Sequence, residues 1–482
     1  MSSSDATFAI DRCSTIPLFQ QIYRRARAAI EDGRLRPGER LPSARSLAAQ
    51  LGAARGTIET AYAMLAGEGW IVARGAAGTV VAPQLRQAGS TASTLTSSKH
   101  AGAPALPAQQ AGLLPFRMGM PALDAFPRKL WSRLIAREAQ ALNIASLAHP
   151  DIAGERQLRE AIAAYLAISR GVACHPEQVF VTAGYQGALT LITRAVLEPG
   201  APAWFEDPGY YLARNALAAA GTPLVPVPVD DHGLIVERAL AAAPDAKAAI
   251  VTPAHHSPLG VTLSLPRRLA LLDWAKSRSA WIVEDDYDGE FHYQGRPLAA
   301  LKSLDRDDVV IYAGSFSKVL FPGLRLGYLV APERLVARFT AAALTISAGL
   351  GRLEQAVVAR FIEEGHFARH LRRMRQLYAA RRASLARALV DVFGDGLVLS
   401  LQGGGMHLLA WPDGGLADTE LVRRAEAQGL APSPLSMHAI AAACKPGLLL
   451  SFTNIPEDQA ESAARRLLAA LKQDAGADSS ES

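Results

Sequence analysis

Ser315-Phe316-Ser317-Lys318, with Arg325 seven residues further on, gathers two hydroxyls, an amine and a guanidinium in one short stretch. An amine can condense with an aldehyde as a Schiff base, and hydroxyls with a guanidinium can hold a phosphate. The surrounding run, Val309 to Tyr328, reads as an apolar strand entering a tight loop. The chemistry on offer is capture of an aldehyde cofactor that carries a phosphate tail.

Other stretches supply what such a cofactor needs. Ile282 to Phe291 ends a strand in carboxylates and a phenol. A ring nitrogen stays protonated beside one fixed carboxylate, here Asp285, and Tyr287 can donate to a ring oxygen. Alone, an acidic strand end is an ordinary solvated cluster; beside Lys318 it becomes a partner. Thr182 to Ala188 is a strand-to-helix turn whose N–H groups at Gly184, Tyr185 and Gln186 face an anion, a weak signal by itself. Tyr210, in the turn after the next strand, can stack on a flat ring. Thr252 to Gly260 brings side chains, Ser257 among them, towards the ring oxygen. Its two histidines have no evident third ligand, so no metal site is expected.

These turns need a sheet to hold them. Seven short apolar runs, separated by helical stretches, predict it: 179–182, 203–205, 224–227, 248–252, 281–284, 309–313 and 326–330. The pattern is that of an α/β domain with a mostly parallel sheet. Residues 350 to 472 read as helical with a few short strands, and 113 to 165 are expected to pack with them as a smaller domain.

The N-terminal region has a different character. Residues 1 to 86 hold eleven Arg and no Lys against seven acidic residues, a net +4 of the chain's +5. Positive charge gathered at one end suits a polyanion. Residues 17–32 predict a helix stopped by Gly33, and Ser43 caps a short helix ended by Gly52. A third helix starts near Arg55, and strands at 70–73 and 79–82 flank a turn at 75–78. Three helices and a hairpin make a winged helix-turn-helix, whose second helix of the pair enters the major groove. Arg55 and Thr57 fall in its first turn, where arginine suits guanine. Arg45 and Arg74 reach phosphate or minor groove, with Ser43 and Thr79 as smaller phosphate donors. The bland alternative is a helical protein-contact domain with solvated arginines.

Between these parts, residues 87–112 are rich in Gly, Ser, Thr, Ala, Pro and Gln, with no aromatic or acidic residue. That composition is a flexible linker spanning roughly 25–30 Å. Cys13, Cys174 and Cys444 form no close pair, so neither a disulfide framework nor a zinc site is expected. No signal peptide and no apolar run long enough to span a membrane is read, which makes the cytoplasm the expected location.

Pro17-Leu-Phe-Gln-Gln-Ile-Tyr23, Gly33-Arg-Leu-Arg-Pro-Gly-Glu-Arg-Leu-Pro-Ser43 and Gly75-Ala-Ala-Gly-Thr79 resemble the GntR-type winged helix. One departure is Ala54, where that family usually caps the reading helix with Ser. From about Leu113 onward the chain resembles the fold-type I pyridoxal-phosphate aminotransferases. Together the parts look like the MocR/GabR-type transcriptional regulators, a subgroup that Glu284-Asp-Asp-Tyr-Asp288 and Gly405-Met-His407 suit.

The resemblance implies a winged helix at 12–84, a linker at 85–112 and an aminotransferase-like domain at 113–475. Within the last it implies a large part at about 170–345, with a mixed seven-stranded sheet, and a smaller α+β part at about 113–165 plus 350–475. It implies pyridoxal 5'-phosphate on Lys318, with Arg325 on the phosphate, Asp285 on the ring nitrogen and Tyr287 on the ring oxygen. It also implies operator DNA, a small-molecule effector and a head-to-tail homodimer. Two departures bear on the ligand. Leu449 stands where family enzymes carry the arginine that clamps a substrate α-carboxylate, and His256-Ser257 replaces the usual Asn-Asn or His-Asn. The expected function is a regulator that senses the cofactor itself, or an amine or amino acid clamped by Arg117, Arg128 or Arg352. Net turnover is not expected. The alternative is a working aminotransferase with a vestigial DNA-binding domain. The basic run Arg369–Arg382 is expected to be the solvated face of a long helix, with a second DNA-touching patch as its alternative.

Overall fold

The computed structural model describes residues 8, 10–12, 14–75, 78–83, 113–293, 299–346 and 349–472. The linker expected at 85–112 lies outside them. The described residues form two compact units, one within 8–83 and one within 113–472.

In the first unit, helix α1 (Leu18–Glu31) buries Ile22, Ala26, Ala29 and Ile30, the helical spacing that marks its inner face. Helix α2 (Ala44–Leu51) is capped by the Ser43 hydroxyl, which accepts from the Ser46 N–H at 3.1 Å, and ends at left-handed Gly52. Helix α3 (Arg55–Gly67) starts at Ala54 with no side-chain cap. Strands β1 (Ile71–Ala73) and β2 (Thr79–Val81) pair antiparallel, Ile71 opposite Val81, and Arg40 bridges to Val80. Ile22, Ile58, Leu65 and Val81 lie in one core.

The second unit opens with helices α4 (Arg128–Gln140) and α5 (Arg156–Ser169). Its strands are β3 (Val179–Thr182), β4 (Ala203–Asp207), β5 (Leu224–Asp230), β6 (Gly233–Leu234), β7 (Ala248–Val251), β8 (Trp281–Asp286), β9 (Val310–Ser315) and β10 (Gly327–Val330). They make one sheet in the order β3-β10-β9-β8-β7-β4-β5-β6. Neighbours from β9 to β5 are parallel, and β10 lies antiparallel between β3 and β9. All seven expected strands are present. The eighth, β6, is a two-residue return that pairs Leu234 with Val229, too short to carry a periodic signal.

Fully apolar strands such as Ala248–Val251 are buried along their whole length because helices cover both faces. Those helices include α6 (Gly184–Val196), α7 (Tyr211–Ala219), α8 (Val236–Ala242) and α9 (Leu265–Arg278), with the one-turn α10 (Phe316–Val319) and then α11 (Val336–Ile346). One core gathers Phe180, Ile192, Phe205 and Phe339; another gathers Trp204, Leu271 and Trp274. The remainder holds α12 (Arg352–Glu363), α13 (His366–Phe393), α14 (Asp418–Ala427) and α15 (Ala460–Lys472). It also holds an antiparallel sheet of β11 (Leu397–Ser400), β12 (His407–Pro412), β14 (Leu448–Ser451) and β13 (Ser433–Pro434), in that order. Phe116 bridges to Ser451, so the segment before α4 joins this smaller sheet. No helix among the described residues is long and apolar enough to cross a membrane.

Candidate functional site

Strands β3, β4, β7, β8 and β9 run in one direction, so their C-terminal ends gather on one edge, where open α/β sheets bind ligands. The loops there enclose a cavity of about 360 Å³. Tyr185, Gln186, Tyr210, Ser257, Asp285, Tyr287, Ser315, Ser317, Lys318 and Arg325 all line it. Gly184, at the first turn of α6, stands behind them, and a Cβ built on it would lie 4.0 Å from Arg325 Cζ. Thus residues spread over some 140 positions of sequence meet in one place.

Lys318 is held by burial and by the chain opposite. Its Nζ donates to the Gly119 carbonyl at 3.2 Å. Burial pushes the amine below its ordinary pKa, opposed by the charges of Asp288 and Asp285. A lowered lysine has more uncharged amine to attack an aldehyde. Gly119 leaves room for that amine, since a Cβ there would collide with Nζ. Asp285 is buried, and burial pushes its carboxyl well above the usual range; the Tyr185 hydroxyl pulls the other way. A carboxyl so placed is completed by a protonated ring nitrogen. Ser315 caps α10, its hydroxyl accepting from the Ser317 N–H at 3.2 Å. Arg325 takes a left-handed φ of 52°, uncommon for a side chain of its size, and lines the cavity. Amine, carboxyl, phenol and phosphate donors, with the space beside Gly119, make a set that fits an aldehyde cofactor bearing a phosphate.

The paired histidines separate. His255 Nδ1 lies 3.0 Å from the Tyr287 hydroxyl. His256 turns inward, 3.6 Å from Glu206, and burial lowers it to about 3. Glu206 is itself pushed up to about 7 by burial, against hydrogen bonds from Thr252.

On the first unit, Ser43, Arg45, Arg55 and Arg74 are exposed, and Thr57 and Thr79 are half-buried. Arg55 Nε contacts Glu59 at 2.7 Å, an exposed pair of the kind worth little in water and easily exchanged. Arg40 was not singled out in the sequence. Its guanidinium packs on the wing turn, 2.8 Å from a Cβ built on Gly78.

Residues 18–81 match the family model "Bacterial regulatory proteins, gntR family", and residues 128–467 match "Aminotransferase class I and II". The probable rhizopine catabolism regulatory protein MocR of Rhizobium meliloti is 37% identical over 458 residues, covering 92% of each chain. The chain belongs to the MocR/GabR-type transcriptional regulators. The pyridoxine biosynthesis transcriptional regulator PdxR of Corynebacterium glutamicum is 32% identical over 457 residues, 94% of this chain and 96% of that one. Among solved structures, the Pyrococcus horikoshii kynurenine aminotransferase with PMP superposes with a TM-score of 0.68 at 27% identity, covering 75% of this chain and 91% of the other. The second unit of this MocR-type regulator has the aminotransferase fold of type I, and its cofactor is pyridoxal phosphate.

The pocket of the MocR-type chain also has a wall that sequence reasoning only partly named. Arg117, a candidate clamp, stands there with Met118, Gly119 and Met120 from the segment before α4, Tyr211 and Leu212 from α7, and His407, Ser433, His438 and Ser451 from the smaller domain. His407 and Ser451 face each other across β12 and β14. Arg117 and Gly405-Met406-His407 gave a signal in the sequence; Ser433 and Ser451 needed the cross-strand register. Burial lowers His407 and His438 to about 4 each, so both are neutral near pH 7. Leu449 is fully buried with Leu409 and Leu435. Of the three arginines considered as clamps, Arg117 lines the pocket, Arg128 is exposed at the start of α4, and Arg352 lies 3.5 Å from Glu155. The basic stretch on α13 is largely used internally. Arg375 donates to the Glu290 carbonyl, Arg381 to Asp124 and Thr453, and Arg382 to Gln402.

Proposed function

We propose that this regulator reads operator DNA through its winged helix and answers to an effector that is pyridoxal phosphate itself or an amine without an α-carboxylate. The observation that carries this reading is the packing of Leu449 among Leu409 and Leu435, where an arginine clamp would otherwise stand. Replacing a two-pronged charged clamp by a buried alkyl group removes the main attraction for an amino-acid carboxylate. The polar wall left in its place, Ser433, Ser451 and the uncharged His407 and His438, suits hydroxyl and neutral groups.

In this reading Lys318 holds the cofactor aldehyde. Ser315, Ser317, Arg325 and the N–H groups of Gly184, Tyr185 and Gln186 hold its phosphate. Asp285 holds the ring nitrogen, Tyr287 and Ser257 the ring oxygen, and Tyr210 stacks on the ring. Arg55 and Thr57 read bases, while Ser43, Arg45, Arg74 and Thr79 contact the backbone. The units are a winged helix at 12–84, a tether at 85–112 and an effector domain at 113–475, acting in the cytoplasm as a homodimer on two half-sites. Ligand changes DNA binding only if it favours one conformation over another.

The second reading, a working aminotransferase, is favoured by the complete lysine site and disfavoured by Leu449. The deciding experiment is retardation of an upstream DNA fragment by the full chain, with and without pyridoxal phosphate or simple amines. A specific complex whose midpoint moves with either addition is expected. Steady transfer of amino groups from an α-amino acid to an oxo acid, with no specific DNA complex, would reverse the order of the two readings.

A further inference from the structure

Tyr287 has one phenolic proton and more than one direction in which to give it. One side leads into the pocket, where Ser257 stands; the other leads to His255 Nδ1 at 3.0 Å, with the Asp288 carboxylate beside it. The same Nδ1 lies 3.1 Å from Asp288 Oδ2. An imidazole nitrogen without hydrogen accepts the phenol proton, whereas an Nδ1–H cannot. A buried carboxylate beside Nδ1 favours the form with hydrogen there. Asp288 is 1% exposed, and its carboxylate lies against both His255 and Tyr287.

The imidazole is seated deliberately. A Cβ on Gly405 would collide with its ring, and one on Gly260 would stand 3.1 Å from Nε2. Both glycines have positive φ, 84° and 72°. His255 and Asp288 also line a second polar cavity of about 60 Å³, together with Arg170 and His292, while Tyr287 beside them lines the cofactor pocket. The charged and titratable groups around His255 are the adjacent His256, Asp285 from the end of β8, Tyr287 and Asp288 just after it, Lys318 from α10, His407 from β12, and Arg170 and His292 around the smaller chamber.

We infer that Asp288 and His255 are positioning residues that free the Tyr287 proton for the ring oxygen of the cofactor. Asp288 keeps hydrogen on Nδ1, Nδ1 is then closed to the phenol, and the phenol turns to the pocket. The inference rests on the cofactor reading above, but its failure looks different. Wild-type protein that takes up no pyridoxal phosphate would sink that reading itself. The inference is tested on cofactor-loaded full-length protein, by titrating its visible absorption band with pH.

Donation to the ring oxygen stabilises negative charge there, so losing it makes the bound cofactor hold its proton to higher pH. Asp288→Asn, close to isosteric, is expected to raise the midpoint by roughly half to one pH unit, the worth of one hydrogen bond. Tyr287→Phe is expected to raise it too, and Asp288→Asn added to Tyr287→Phe to raise it no further, because the pair acts in series. Direct loss of negative charge near Lys318 works in the opposite sense, since Asp288 raises that amine. A fall in the midpoint, no change, or an equal rise in the Tyr287→Phe background would each overturn the inference. Should Asp288→Asn fail to fold, His255→Gln carries the same test, because its amide oxygen accepts the phenol proton and the midpoint rises. An unmoved or lowered midpoint in that variant also overturns it.

Discussion

The winged helix and the cofactor pocket place their working side chains in opposite surroundings. Arg45, Arg55 and Arg74 stand exposed, and the ion pair that Arg55 makes with Glu59 is exposed as well. Asp285, Tyr287 and Lys318 are shut in, each with a pKa displaced by burial. Exposed groups wait for a partner and lose little in its absence. Enclosed groups are unfavourable until the partner arrives, so the empty pocket is strained in charge. Ligand and fold should therefore be coupled in the second unit and nearly independent in the first.

The largest expected effect is on the pocket. Lys318→Ala should abolish the visible band of protein incubated with pyridoxal phosphate, read by absorbance. A band that persists would mean the cofactor is held by another group. Asp285→Asn should weaken cofactor retention by about 10–100-fold, the scale of a lost charged hydrogen bond, measured by dialysis against graded cofactor. The same change should help the empty protein. With its folded pKa raised, Asp285 contributes stability below its ordinary range that is lost as pH rises through the folded value. Ligand-free wild type should lose thermal stability along that rise, and the Asn variant should lose less.

Arg55→Ala should cost about 10–100-fold in operator affinity, the range for one base-reading arginine, with thermal stability unchanged. A drop in melting temperature equal to that of a core substitution would break the contrast between the units. Smallest of all, Ala54→Ser should stabilise the first unit by roughly 0.5–1 kcal/mol through a new cap, seen in its own unfolding transition, with the visible band untouched.

The contrast also decides what could be read in the sequence. Seven of the main sheet's eight strands were legible, because buried strands are short apolar runs between helices. The strand-end residues were legible too, because Lys318, Asp285 and Arg325 sit beside those runs. Ser433, His438 and Ser451 were not. Their place depends on how β12, β13 and β14 pair, and a register offers no local signature. Gly119 was hidden for a similar reason: its role is to lack a side chain opposite a lysine 199 positions away. Of the two adjacent histidines, only the structure separates the one facing Tyr287 from the one facing Glu206.

The Gly119 carbonyl has a consequence beyond the pocket. It occupies the amine of Lys318 now, and a nitrogen that bonds covalently to a ligand has fewer hydrogens left to give. Three residues earlier, Phe116 bridges to Ser451 on the smaller sheet. A change at one nitrogen is thus met first by a short backbone stretch pinned at both ends, at Gly119 by the lysine and at Phe116 by the small-domain strand.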